Sequence, residues 1–359
     1  MKKLSSVILA VFAMVFLSSC GWFQSSSVTT DEGNWVKAST LNGPARYYAV
    51  SFTIGNYGYV ATGRDMNNNP MGDVYRYDPS NDSWEQESSL PDNNTLYCGV
   101  GFAINGKGYV GTGTNGRQVY YSSFYQYDPT SNSWTQIADF PGTPRYRATA
   151  FAIGNVGYVT CGVDANGNYL KDMYAYNQST GSWSQSIASP GDKRVGAAAF
   201  VYNNEGYLIG GTNSAGQGCT EFYKFNPTAN KWYTLRQITN ATDSSFDDAY
   251  TDITRTDGVA FVASDPYYGT AAFVTTGKSA DNGAMDLNTW AYDFVNDVWQ
   301  QRTAYERPTR YAAVAFSLNC TNGIMNGTVG YVGTGYAGSG NPFDNFDVFY
   351  PNQAYNAND

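Results

Sequence analysis

Aromatic and polar residues alternate with period two in five matching blocks: "DVYRYDPSNDSW" (73–84), "SFYQYDPTSNSW" (123–134), "DMYAYNQSTGSW" (172–183), "EFYKFNPTANKW" (221–232) and "NTWAYDFVNDVW" (288–299). Each predicts a β-strand, a turn built on D/N-P-x-x-N/G chemistry, and a second strand that carries a tryptophan. Upstream lie strands that end in glycine, "GYVATG" (58–63), "GYVGTG" (108–113), "GYVTCG" (157–162), "GYLIGG" (206–211) and "GYVGTG" (330–335). Glycine at such a strand end marks a turn or a close approach of backbones. Before these come "RYYAVSFTIGN" (46–56), "LYCGVGFAING" (96–106), "RYRATAFAIGN" (145–155), "RVGAAAFVYNN" (194–204), "RTDGVAFVASD" (255–265) and "RYAAVAFSLNC" (310–320), whose small residues suit crowding around an axis. The tryptophans at 35, 84, 134, 183, 232 and 299 recur about every 50 residues, with one longer interval before the last. The repeat is therefore four short strands: a small-residue strand, a G-Y strand, an aromatic strand and a tryptophan strand.

An Arg-led strand, a G-Y-x-x-G-G-like strand, a Y-x-Y-D-P strand and a closing tryptophan together resemble the kelch repeat, which implies an all-β fold of propeller blades. The resemblance covers nearly all of the chain after residue 33 and is most specific in the first four repeats. The first glycine of the family's G-G pair is replaced by Thr62, Thr112, Cys161, Thr276 and Thr334, and only Gly210-Gly211 is complete. Six small-residue strands and six tryptophans predict a six-bladed propeller with blades at about 46–88, 96–138, 145–187, 194–236, 255–303 and 310–350. No tryptophan strand follows "NFDVFYPN", so Trp35 in 34–39 is expected to supply the outer strand of the sixth blade and close the ring. Residues 34–351 then form the propeller and 352–359 a tail.

The N-terminus changes the picture of where the ring resides. Lys2 and Lys3, the apolar run that follows, and Leu17-Ser18-Ser19-Cys20 read as an export signal over 1–19. The tetrapeptide resembles the lipobox of bacterial lipoproteins, which implies lipid attachment at Cys20, a tether over 20–33, and a cell-envelope location. With 30 acidic against 21 basic residues the formal charge is −9, which argues against a nucleic-acid partner. No histidine is present, which removes the commonest general base and transition-metal ligand. Galactose oxidase shares the architecture, but its copper site uses histidine, so that activity is excluded. Cys98, Cys161, Cys219 and Cys320 show no paired spacing and fall in four blades; buried thiols are expected, with a disulfide left open.

Candidate chemistry concentrates where the inner strands begin. Arg46, Arg145, Arg194, Arg255 and Arg310 lead five of the six, with Leu96 the exception. Asp65 and Asp164, two residues beyond their G-Y glycines, are expected to pair with Arg46 and Arg145. Arg194, Arg255 and Arg310 lack such a neighbour, and three readings stay open for them: an anion-binding patch, pairing with Asp247 or Asp248, or exposure. Tyr47, Tyr97, Tyr146 and Tyr311 follow the arginine position and could stack on a sugar, or serve packing. The later tryptophans belong to the between-blade core. Asp65-Asn67-Asn69 and Asp164-Asn166-Asn168 share D-x-N-x-N spacing, but lack the downstream glutamate of an EF-hand, so turns are expected and no metal or other cofactor is assigned. The long-loop face around the axis is the expected site.

The resemblance implies a fold more firmly than an activity. No paired carboxylates and no nucleophile with its base occur in the inner-strand motifs, and no catalytic residue is assigned. The leading expectation is a non-catalytic binding module that presents its loop face to a glycan or an envelope protein. A carbohydrate-active enzyme similar to the sialic-acid mutarotases, which share the fold, and a structural envelope subunit remain alternatives.

Overall fold

Six antiparallel four-stranded sheets stand around a common axis in the computed structural model. The structure describes residues 33–91, 94–239, 250, 253–279, 282–320 and 326–359. The signal and tether expectations, including Cys20, and the pairing with Asp247 or Asp248 lie outside the described residues. In the first blade Val50–Ile54, Tyr57–Ala61, Val74–Asp78 and Ser83–Glu87 run from axis to rim as three successive hairpin pairs. The next four blades repeat this order.

The sixth blade is composite. Val314–Asn319, Thr328–Gly333 and Phe346–Tyr350 are followed outward by Asn34–Ala38, which pairs antiparallel with Phe346–Tyr350 and places Trp35 opposite Phe349. The indole nitrogens show that this strand is an ordinary member of the ring. Trp84, Trp134 and Trp183 donate to the carbonyls of Ser39, Ser88 and Ala138, each just past the outer strand of the preceding blade, at 2.8–2.9 Å. Trp35 makes the same bond to Thr303 of blade five at 3.2 Å, and Ser39 accepts from blade one. The N-terminal strand thus receives and gives the links that the outer strands of blades one to four make, whereas the Trp299 indole of blade five is buried without a hydrogen-bond partner.

Between blades the core is aromatic. An inner-strand phenylalanine stacks on the G-Y tyrosine beside it, as in Phe52 on Tyr59 and Phe102 on Tyr109, with ring centroids 5.2 and 5.3 Å apart. The glycine before that tyrosine makes room for the next ring: a Cβ on Gly108 would stand 2.4 Å from Phe52. That is why the motif reads G-Y, since the preceding blade packs its phenylalanine directly on the backbone.

One turn inside the inner strands, a second ring closes on backbone alone. Cys98, Arg147, Gly196, Asp257 and Ala312 each donate an amide bond to the same position of the blade before, and Tyr48 donates to Ala312, at 2.8–3.3 Å. All six have left-handed backbone, φ between 52° and 65°. The circle of six bonds fixes the mouth of the axial channel and points six consecutive positions, one per blade, toward it.

Candidate functional site at the channel mouth

The five leading arginines are buried, at 0–3 % exposure, and bound within their own blades. Arg46 and Arg145 make bidentate pairs with Asp73 and Asp172 at 2.7–2.8 Å, and Arg194 reaches Glu221 at 3.2 Å. Arg255 pairs with Asp286 at 3.1 Å, and Arg310 donates to the Asn345 side chain at 3.1 Å. Each guanidinium also donates to the carbonyl of the residue at the first position of the G-G pair: Thr62, Cys161, Gly210, Thr276 and Thr334. These residues have positive φ, a conformation that costs a β-branched side chain and turns the carbonyl onto the arginine.

Two expectations are corrected here. Arg46 and Arg145 do not take Asp65 and Asp164 as partners; those carboxylates accept amide bonds from Asn67 and Asn69, and from Asn166 and Asn168, as turn formers. Arg194, Arg255 and Arg310 do have partners inside their blades, and their burial leaves no exposed cationic patch there. The signal was in the repeats: the acid that opens the third-strand block, Asp73, Asp172 or Glu221, is Ser123 in the one blade that begins with Leu96 instead of arginine.

Three of the predicted tyrosines, Tyr47, Tyr97 and Tyr311, come together, while Tyr146 packs on Tyr120 with centroids 5.4 Å apart. Tyr47, Tyr97, Tyr146 and Tyr311 ring the mouth beside the loops that follow the G-Y strands, through bridges such as Tyr47 to Arg64 and Tyr311 to Tyr336. Tyr47 stacks on Tyr336 with centroids 4.8 Å apart, and Tyr48 meets Tyr311 edge-on at 6.0 Å. Burial raises the phenol pKa of Tyr47, Tyr48, Tyr146 and Tyr311, so these hydroxyls stay protonated donors at neutral pH.

Four charged residues that the sequence reading did not single out complete the site. The Arg64 guanidinium is sandwiched between Tyr47 and Tyr97, 4.5 Å from each ring centre, and its Nε is buried without a hydrogen-bond partner. The Lys278 ammonium lies 3.5 Å from the centre of the Tyr311 ring. Among the described residues neither cation forms an ion pair. Burial lowers the Lys278 pKa from the ordinary lysine value, with Asp257 acting in the opposite sense. Arg147 and Asp257 pair at 2.6 and 3.1 Å, and Tyr48 donates to the same carboxylate at 3.1 Å. Burial opposes the charge on Arg147, and Asp257 reverses this, so its pKa is raised. Arg64, Lys278 and Arg147 thus bring three cations, and Asp257 one carboxylate, among the tyrosines of an acidic protein. Such a surface recognises an anion with a stackable body.

Below the mouth cavities of about 190, 230 and 520 Å³ succeed one another toward the opposite face, the first lined mainly by alanine and glycine and the last by phenylalanines such as Phe52, Phe102 and Phe151 with threonine and serine. Cys98, Cys161 and Cys219 are buried free thiols, as expected, whereas Cys320 is a free thiol that is only partly buried.

Comparison with known proteins adds a direction. A family model described as N-acetylneuraminate epimerase matches residues 89–217, and the kelch motif model matches residues 45–91. A solved structure titled "Structure of YjhT" superposes with a TM-score of 0.67 at 15 % identity, covering 86 % of this chain and 95 % of that one. Among curated protein sequences none matches.

Proposed function

This chain is a kelch-repeat β-propeller, and from that premise we propose that its channel mouth binds an acidic sugar, with the protein acting as a binding module of the cell envelope. One observation carries this reading: Arg64 and Lys278 lie against tyrosine rings beside the channel mouth with no carboxylate of their own among the described residues. An acidic sugar supplies a carboxylate for the cations and a ring with hydroxyls for the tyrosines. In a titration of N-acetylneuraminate, Arg64→Ala and Lys278→Ala should each weaken binding by about tenfold, the loss of one charge-assisted contact. Unaltered affinity in both variants would remove the cationic mouth from consideration.

A second reading is favoured by the match to the N-acetylneuraminate epimerase model over blades two and three and the inner half of blade four. It makes the same mouth a catalyst of anomeric exchange in the bound sugar. Exchange followed by NMR separates the two: a rate no faster than that of free sugar at saturating protein supports binding alone, and acceleration supports the enzyme.

The lipobox at Leu17-Ser18-Ser19-Cys20 supports tethering of the propeller to the envelope by a lipid on Cys20. Cys20→Ser should move the protein from the membrane fraction to the soluble fraction of cells that make it. Unchanged partition would sink the anchor.

A further inference from the structure

The third residue of each inner-strand block is where the six repeats differ most in chemistry: Tyr48, Cys98, Arg147, Gly196, Asp257 and Ala312. The ring of amide bonds holds all six at the same height around the axis. Two of them, Arg147 of blade three and Asp257 of blade five, reach past the intervening blade four, whose own position is the side-chain-free Gly196. A Cβ added at Gly196 would stand 2.6 Å from an Asp257 carboxylate oxygen and 2.9 Å from Arg147, so glycine there is what lets the pair form.

Both oxygens of Asp257 are engaged, by Arg147 Nε, Arg147 Nη2 and the Tyr48 hydroxyl. A two-pronged guanidinium contact with a neighbouring phenol is also how a protein would hold the carboxylate of a ligand. The Arg147 side chain is 22 % exposed, and Asp257 6 %, so the arginine faces the mouth while its partner fills the place behind it.

We infer that Arg147 is a carboxylate-binding site occupied by the chain's own Asp257, which an external carboxylate must displace in order to bind there. The inference rests on the acidic-sugar reading and adds to it which residue receives the carboxylate and what competes with it. Asp257 is then a specificity-determining residue: it sets a threshold that a neutral sugar, unable to replace it, does not cross.

The test is titration of N-acetylneuraminate into the full chain and three variants. Asp257→Gly places at φ 54° the residue that blade four already carries there, and Asp257→Asn keeps the shape while removing the charge. Both should bind about tenfold more tightly than the parent, the competition of one partly exposed ion pair having been removed. Adding Arg147→Met to either should abolish the gain. Affinity unchanged or weaker in the folded Asp257 variants, or a gain that survives Arg147→Met, overturns the inference. Weakening by Arg64→Ala and Lys278→Ala with no gain at Asp257 defeats this inference and leaves the binding reading intact. A gain that depends on Arg147, while Arg64→Ala and Lys278→Ala are silent, upholds this inference and removes Arg64 and Lys278 from the site.

Discussion

Deletion of residues 33–40 should lower the melting temperature of the propeller by well over about 10 °C or abolish its cooperative unfolding, whereas deletion of 21–31 should leave it nearly unchanged. The segment 34–38 contributes a five-residue ladder to Phe346–Tyr350. Trp35 is 2 % exposed and packs on Phe349 and Tyr305, with centroids 4.8 Å away in each case. Loss of a buried tryptophan alone costs about 3–5 kcal/mol. The deletion also removes the carbonyl of Ser39 that receives the Trp84 indole, and the Ser39 amide bond to Asp82, so blade one is loosened together with blade six. An open seam exposes the unpaired edge of Phe346–Tyr350, which adds association between molecules to the loss of stability. Thermal melts of the two truncations decide the matter. If they melt alike, the ring does not close through its N-terminal strand.

The second large effect is expected at a residue with no contact to the mouth. Asp172→Ala should cost about 3 kcal/mol or more, because it strands the guanidinium of Arg145, which is fully buried. The equivalent change in blade two, Ser123→Ala, falls in the blade that has Leu96 in place of an arginine and should be nearly silent. In the double variant Arg145→Ala/Asp172→Ala the cost should be less than the sum of the two single changes, since no charge is left unpaired. Urea melts of the parent, the three single variants and the double variant test this. Equal effects at positions 172 and 123 would contradict the clamp, and loss of sugar binding in folded Asp172→Ala would restore the leading arginines as ligand-binding residues.

Repetition made the scaffold readable. The tryptophan period, the G-Y strands and the unmatched Trp35 lead directly to six blades and a shared last sheet, because every blade must solve the same packing problem with the same residue types. The arginine partners were missed because the nearest acids along the loop, Asp65 and Asp164, were preferred to the acid that strand pairing brings alongside. Only register places Asp73 beside Arg46, and register is a property of the folded hairpins.

The mouth was harder to read for the opposite reason. Arg147 and Asp257 occupy a position at which no two blades agree, and Arg64 and Lys278 take the place of Thr114, Val163, Thr212 and Tyr336 in the others. A search for shared motifs passes over such positions. In a ring of repeats the shared residues build the frame, and a site with one ligand and one orientation must be made from the exceptions.

The most direct measurement is calorimetric titration of the full chain with N-acetylneuraminate and, in parallel, with a neutral N-acetylhexosamine of similar size. Saturable binding of the acid, weakened by added salt and by Arg64→Ala, with no binding of the neutral sugar, is the predicted result. Equal affinity for both sugars, or no heat from either, would contradict an acidic-sugar site at the channel mouth.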